Sequence, residues 1–222
     1  MATFTGTRSL PNGLVLALDA ANPSSYPGSG SGSTFYDLSG RGNNGSLIGS
    51  VTYSTNNYGI LTTPGTSGTY ISVPGPDLRT TNHTIIAGTR YAPGWTGGGR
   101  IVSSYGNNFL LGHHGTNQSN CGDYYTEGWV YDPSSGGGGN DWHIYTARGD
   151  YLADNWTVLR DDVQLASNNA GSQGPLGFEL GRWRSNSEYS QAHISFLFAW
   201  DRLLSTAEVT QVYNSMKYRF GL

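Results

Sequence analysis

The chain has 222 residues, a net charge of −3 and only 12% charged residues, against about 25% in ordinary soluble proteins. That length suits one large domain with a proper core, and the surface must be covered by Ser, Thr, Asn, Gly and Tyr rather than by Lys and Glu. No Lys/Arg cluster supplies the basic footprint of a nucleic-acid binder, and no apolar run approaches a membrane span of about 20 residues.

The chain opens with MATFTGTRSLPNG, which has no apolar h-region, so the protein is expected to be made in a cytoplasm without a secretory signal. Residues 1–12 read as an N-terminal arm. Phe4 and Leu10 have no local apolar partner there, and such an arm orders only by docking on a neighbour. Both are expected to make assembly contacts in a homo-oligomer or a larger particle. A run LVLALD (14–19) follows as a first strand. Next comes FYDLSGRGNNGSL (35–47), dense in turn formers. Asp37, Asn43 and Asn44 supply side-chain oxygens on one turn, and Asp19 ends the first strand. Hard cations take several such oxygens, so calcium is one reading; an Asx-type turn capping its own backbone is the other.

Runs 68–74, 83–92, 100–105, 108–114, 127–132, 141–149, 155–161, 177–183 and 192–201 are rich in β-branched and aromatic residues. Gly, Pro, Asn and Ser separate them. That is the pattern of a many-stranded antiparallel sandwich. Arg160-Asp161-Asp162-Val163 reads as a hairpin turn. Ser205-Thr-Ala-Glu208 is a capping box, and Val209, Val212, Tyr213 and Met216 follow at helical spacing. One helix is therefore expected over about 205–219, and residues 13–222 form one domain.

Trp95, Tyr105, Trp129, Tyr131 and Trp183 sit in or beside Gly/Asn-rich loops, where aromatic faces stack on sugar rings or anchor protein interfaces. Trp142, Trp156 and Trp200 read as core. His113 and His114 are adjacent on a strand and point to opposite faces, so they cannot share an ion. Cys121, the only cysteine, has no basic neighbour in sequence and reads as a packing residue. Glu127, Glu179, Glu188 and Glu208 are the only four glutamates, Glu208 belongs to the helix cap, and the hydrolase reading is therefore disfavoured. Gln191-Ala-His193 matches the Q-x-H strand of alginate-type lyases, but its partner strand is missing. No catalytic residue is expected.

The order of motifs resembles the laminin G-like jelly roll of the concanavalin A-like superfamily. The family's D-x-S-G-x-G-N-x-G turn stands at Asp37–Gly45, and its closing signature at Trp200–Glu208. The stretches 19–47 and 205–222 are similar to virion proteins of tailed bacteriophages. The resemblance implies an all-β jelly-roll sandwich with one short C-terminal helix. It also implies a non-enzymatic structural role on a virion, as a head decoration or tail component, with head-shell or tail proteins as partners. Related jelly rolls often carry a structural Ca2+. The alternative is a carbohydrate-binding module that reads a host-surface glycan.

Overall fold

The computed structural model describes residues 10–30, 32–115, 121–133, 139–184 and 187–222. Phe4 lies outside them. The strands in chain order are β1 (Leu14–Asp19), β2 (Thr34–Phe35), β3 (Gly45–Ile48), β4 (Thr52–Ser54), β5 (Ile60–Pro64), β6 (Tyr70–Asp77), β7 (His83–Tyr91) and β8 (Val102–Ser103). Then come β9 (Phe109–His113), β10 (Cys121–Thr126), β11 (Trp129–Tyr131), β12 (His143–Asp150), β13 (Asn155–Arg160), β14 (Val163–Asn168), β15 (Leu176–Leu180) and β16 (Gln191–Trp200). A helix, α1 (Thr206–Met216), and a 3-10 turn (Lys217–Arg219) close the chain.

All pairings are antiparallel, in two sheets. The first runs β14-β13-β12-β7-β16-β5-β4, and the second β11-β10-β9-β8-β15-β6-β3-β2. One edge of β16 is shared: residues 191–194 pair with β5 and residues 196–200 with β1. β7 takes the other edge. The hairpin at 160–163 forms as its residues suggest. Asp161 and Asp162 have φ +52° and +64°, the left-handed pair that a twisted two-residue turn requires and that aspartate tolerates.

Between the sheets lies one core, with Leu16, Leu18, Ile71, Val73, Ile85, Leu111, Tyr124, Trp156 and Phe178 among its buried residues. A second cluster forms on the outer side of the first sheet. Val209, Val212 and Met216 of α1 pack on Ala17, Ile86, Ile144, Phe196, Phe198 and Trp200. The helix starts as the capping box dictates: Ser205 Oγ accepts from the Glu208 amide, and Glu208 accepts from the Ser205 amide. Glu208 is also paired with Arg202 at 2.6 Å. α1 thus covers the outer side of the first sheet.

Leu10 belongs to this second cluster, and the two residues after it are tied in as well. Trp200 Nε1 donates to the Pro11 carbonyl at 3.0 Å, and Arg202 Nε to the Asn12 carbonyl at 2.8 Å. Leu10 was expected to lack a local partner, and it packs on the chain's own helix-covered cluster. Residues 10–12 thus pack on the folded unit through contacts made across some 190 residues, which sequence separation hides.

Candidate functional site

The turn after β2 explains its own composition. Asp37 Oδ1 accepts from the amides of Ala17 (2.8 Å) and Ser39 (2.9 Å), and Oδ2 from Ser39 Oγ (2.7 Å) and the Asn43 amide (3.0 Å). Asn44 Oδ1 accepts from the Asp37 amide, and Asn43 Nδ2 donates to the Val15 carbonyl, both at 2.8 Å. The Leu38 amide takes the Ala17 carbonyl. The turn therefore covers the free edge of β1, whose exposed N–H and C=O groups would otherwise template another strand. Asn43 also sits so close to Gly75 that a Cβ there would lie 2.4 Å from its Oδ1.

These oxygens do not fit a calcium cage. The lone pairs of Asp37 face N–H and O–H donors. Asp19, the fourth expected ligand, is held by the Arg219 guanidinium at 2.7 and 2.9 Å. Among the described residues no three His, Cys, Asp or Glu side chains are placed to share an ion. These contacts fit the backbone-capping reading of the turn. Asp37→Ala is expected to cost about 2–4 kcal/mol, since four acceptor contacts are lost and the Ala17 amide is orphaned. Chelator should leave the wild-type melting temperature unchanged. A drop in Tm with EDTA would restore the metal.

The loop aromatics separate into distinct places. Trp95 folds back on its own loop, Nε1 donating to the Gly98 carbonyl at 2.7 Å, and packs on the core. Tyr131 is half-buried against the same core. Tyr105 is exposed. Trp129 and Trp183 are different: they terminate one connected cluster on the second sheet. Strand alternation assigns its face. Tyr124 and His113 point inward, so Tyr125 and His114 point out. Trp129, the cross-strand partner of Tyr125, meets that ring edge-on at 5.1 Å and the His114 ring at 5.5 Å. His114 Nε2 lies 3.8 Å from Glu188 Oε2. Glu188 accepts from Arg100 Nε at 2.6 Å, and the Arg100 guanidinium lies 4.6 Å from the Trp183 ring centroid.

Loop backbones hold this row in place. The Arg100 amide donates to the Glu188 carbonyl, Gly99 to Gly115 and Ser190 to Gly181. Arg100 is only 5% exposed, and its Nη1 is bound to Asn108 Oδ1 and the Phe109 carbonyl. Burial pushes the His114 pKa down, against the pull of Glu188, so this imidazole is neutral at neutral pH. Asp123 lies on the same side of β10 as Tyr125. It is fully buried, and neither carboxylate oxygen has a partner. Burial, reinforced by Asp132, raises its pKa to about 7 against the opposing effect of Arg100.

No protein-family profile matches the sequence, and no curated protein does. Solved structures do. The binding domain of Paraclostridial Mosquitocidal Protein 1 aligns over 92% of this chain and 52% of its own, with TM-score 0.66 and 14% identity. The botulinum neurotoxin serotype D binding domain aligns over 94% and 53%, with TM-score 0.67 and 13% identity. Trypanosoma rangeli sialidase in complex with sialic acid aligns over 96% and 35%, with TM-score 0.65 and 15% identity. The fold is an antiparallel β-sandwich of two sheets with one short C-terminal helix, and these structures share it. The chain spans about half the length of the two toxin domains and about a third of the sialidase, and at these identities the likeness is one of fold.

Within this sandwich, sequence reasoning named Trp129 and Trp183 but not the residues that join them. His114, Glu188, Arg100 and Tyr125 come from four separate segments. β10 itself was overlooked: CGDYYT lies between polar stretches, and its aspartate interrupts the apolar alternation. His193 of the Q-x-H match accepts from Arg90 Nε at 3.1 Å and lies beside Trp142, 6.1 Å between centroids. Burial, with Arg90 adding to it, lowers its pKa to about 4.

Proposed function

We propose that the protein is a glycan-binding module whose site is the row Trp129–His114–Glu188–Arg100–Trp183 on the outer face of the second sheet. The observation that carries this is the row itself. Two indole rings flank a hydrogen-bonding centre on the sheet opposite the one α1 covers. Trp129 is 40% exposed, although solvent exposure of so large an apolar ring is costly. Aromatic faces beside fixed polar groups suit the alternating C–H and O–H surfaces of a sugar. Arg100 is buried and already engaged by Glu188, Asn108 and Phe109, so the row offers no free guanidinium to a carboxylated sugar. A neutral saccharide fits it better.

Trp129→Ala should weaken glycan binding at least tenfold, about 1.4 kcal/mol, with little change in melting temperature. Glycan-array screening followed by calorimetry on the best neutral oligosaccharide checks this. Unchanged affinity in Trp129→Ala, or no glycan bound at all, defeats the reading. The site reads without turning over. Asp123 has the raised pKa of a general acid, which is the one observation favouring a hydrolase, but its carboxyl is sealed from a glycosidic oxygen. Release of reducing ends from a bound glycan would reverse that judgement. Placement on a phage particle rests on the sequence resemblance alone, and mass spectrometry of purified virions tests it.

A further inference from the structure

The first residue of β10 sits in unusual company between the sheets. Cys121 pairs across the ladder with His113, and both side chains face inward. Arg160 Nη1 donates to the Cys121 sulfur at 3.3 Å. His143 Nδ1 is 2.5 Å from Asp161 Oδ2, while the Ile144 amide donates to Asp161 Oδ1 at 2.9 Å. The carboxylate thus fixes the imidazole from the turn between β13 and β14. The His143 Nε2 and the Tyr145 hydroxyl are buried without a hydrogen-bond partner, and Cys121 acts on the titration of both. Nucleophile, base and orienting carboxylate are therefore gathered from β10, β12 and the 160–163 turn.

A second observation points to a guest. His113 is fully buried, and neither ring nitrogen has a partner. Its ring is wedged between Tyr91 at 4.8 Å and Tyr145 at 5.1 Å, on the Cys121 side of the sheet. A buried donor or acceptor with nothing to bind is costly, and here it stands across the ladder from a sulfur that takes a guanidinium hydrogen bond. Because His113, Cys121 and His143 do not converge as metal ligands among the described residues, the fitting guest is a small hydrogen-bonding molecule.

We propose that Cys121, held against His143 and Asp161, is a modification site that small hydroperoxides oxidise to a sulfenic acid. The thiolate sulfur attacks one peroxide oxygen. An S–O bond forms and the O–O bond breaks. Sulfur loses two electrons and the peroxide gains them. The departing hydroxide or alkoxide takes the His143 proton and leaves as water or an alcohol. His113 offers its free ring nitrogens to the peroxide and then to the sulfenic hydroxyl. The electrostatics agree. Burial raises the Cys121 thiol, but the His143 hydrogen bond and the His143 and Arg160 charges outweigh it and leave the pKa below the ordinary value. Burial opposes protonation of His143, yet Asp161 and Cys121 lift it to about 9. Cys121 is 1% exposed, which excludes bulky reagents and selects for an oxidant the size of water.

The test uses the native protein. The ultraviolet absorbance of the thiolate is followed with pH, with Cys121→Ser as the blank. Hydrogen peroxide is then added at about pH 7, and sulfenic acid is trapped with dimedone and located by mass spectrometry. The thiolate midpoint is expected below the about 8.5 of an ordinary cysteine. The dimedone adduct is expected on Cys121, with slow reaction towards a bulky aromatic disulfide. His143→Gln and Asp161→Asn should each move the titration upward and slow the peroxide reaction at least tenfold. Should either variant fail to fold, the wild-type titration and trapping decide by themselves. A thiolate midpoint at or above about 8.5, or no adduct on the folded protein, overturns the proposal.

Discussion

Arg219→Met is expected to destabilise the protein by about 3–5 kcal/mol, because it strands a buried carboxylate. The Arg219 and Asp19 side chains are 1% and 3% exposed, and two parallel N–H···O bonds join them. Asp19 also accepts from the Ala21 amide at 3.0 Å. The Arg219 carbonyl takes a bond from Asn57 Nδ2 at 2.8 Å. The pair therefore rivets the last turn of the chain to the end of β1. For a domain of this size the loss corresponds to a fall in Tm of about 10 °C. Removing both charges, in Asp19→Asn with Arg219→Met, should recover a large part of it, since the penalty lies in the unpaired ion rather than in the missing pair. Urea unfolding of the three proteins measures this. A single-variant loss under about 1 kcal/mol would show that water reaches Asp19.

Acid is the second lever. His83 and His113 are fully buried, and burial drives their pKa values down to about 4 and about 3. A neighbouring hydrogen bond from His83 to the Thr81 carbonyl resists this slightly, and the His143 charge adds to it at His113. A base whose pKa falls on folding binds its proton more readily in the unfolded chain. Its stabilising contribution is complete above the unfolded pKa near 6.5 and is lost as pH falls toward the folded values. Between pH 6.5 and 4.5 each histidine should cost about 2 kcal/mol, or about 4 kcal/mol together. Asp123 works the other way. Its carboxyl, raised to about 7, penalises the fold at neutral pH, and the penalty fades as pH falls toward about 4. The histidine share is isolated by difference. His113→Phe keeps a ring between Tyr91 and Tyr145 and should remove about half of the acid loss. Denaturant unfolding at several pH values reads the slope, and parallel curves for wild type and variant would show that His113 is not buried neutral.

Much of the fold was legible because it depends on neighbours in the chain. The apolar run LVLALD gives β1 over the predicted 14–19. Two aspartates suffice for the 160–163 turn, and Ser205 with Glu208 starts α1 one residue on. Trp142, Trp156 and Trp200 are buried as read. His113 and His114 do face opposite ways, one sealed inside and one beside Glu188. What these features share is a cause within a few residues: pleat period, turn dihedral or cap.

The tertiary structure alone decided the rest. Asp19 and Arg219 lie 200 residues apart, and only the return of the chain beside β16 brings them together, which turns an expected metal ligand into half of an ion pair. Leu10 looked unpartnered because its partners sit on a helix at the other terminus. Cys121 seemed inert because Arg160 and His143 reach it from strands of the opposite sheet. The same holds for the row from Trp129 to Trp183. A sandwich is built from non-local pairings whose register no short window of sequence encodes. Strand identity is therefore written locally, while the chemistry of a site is set by which strands the two sheets bring face to face.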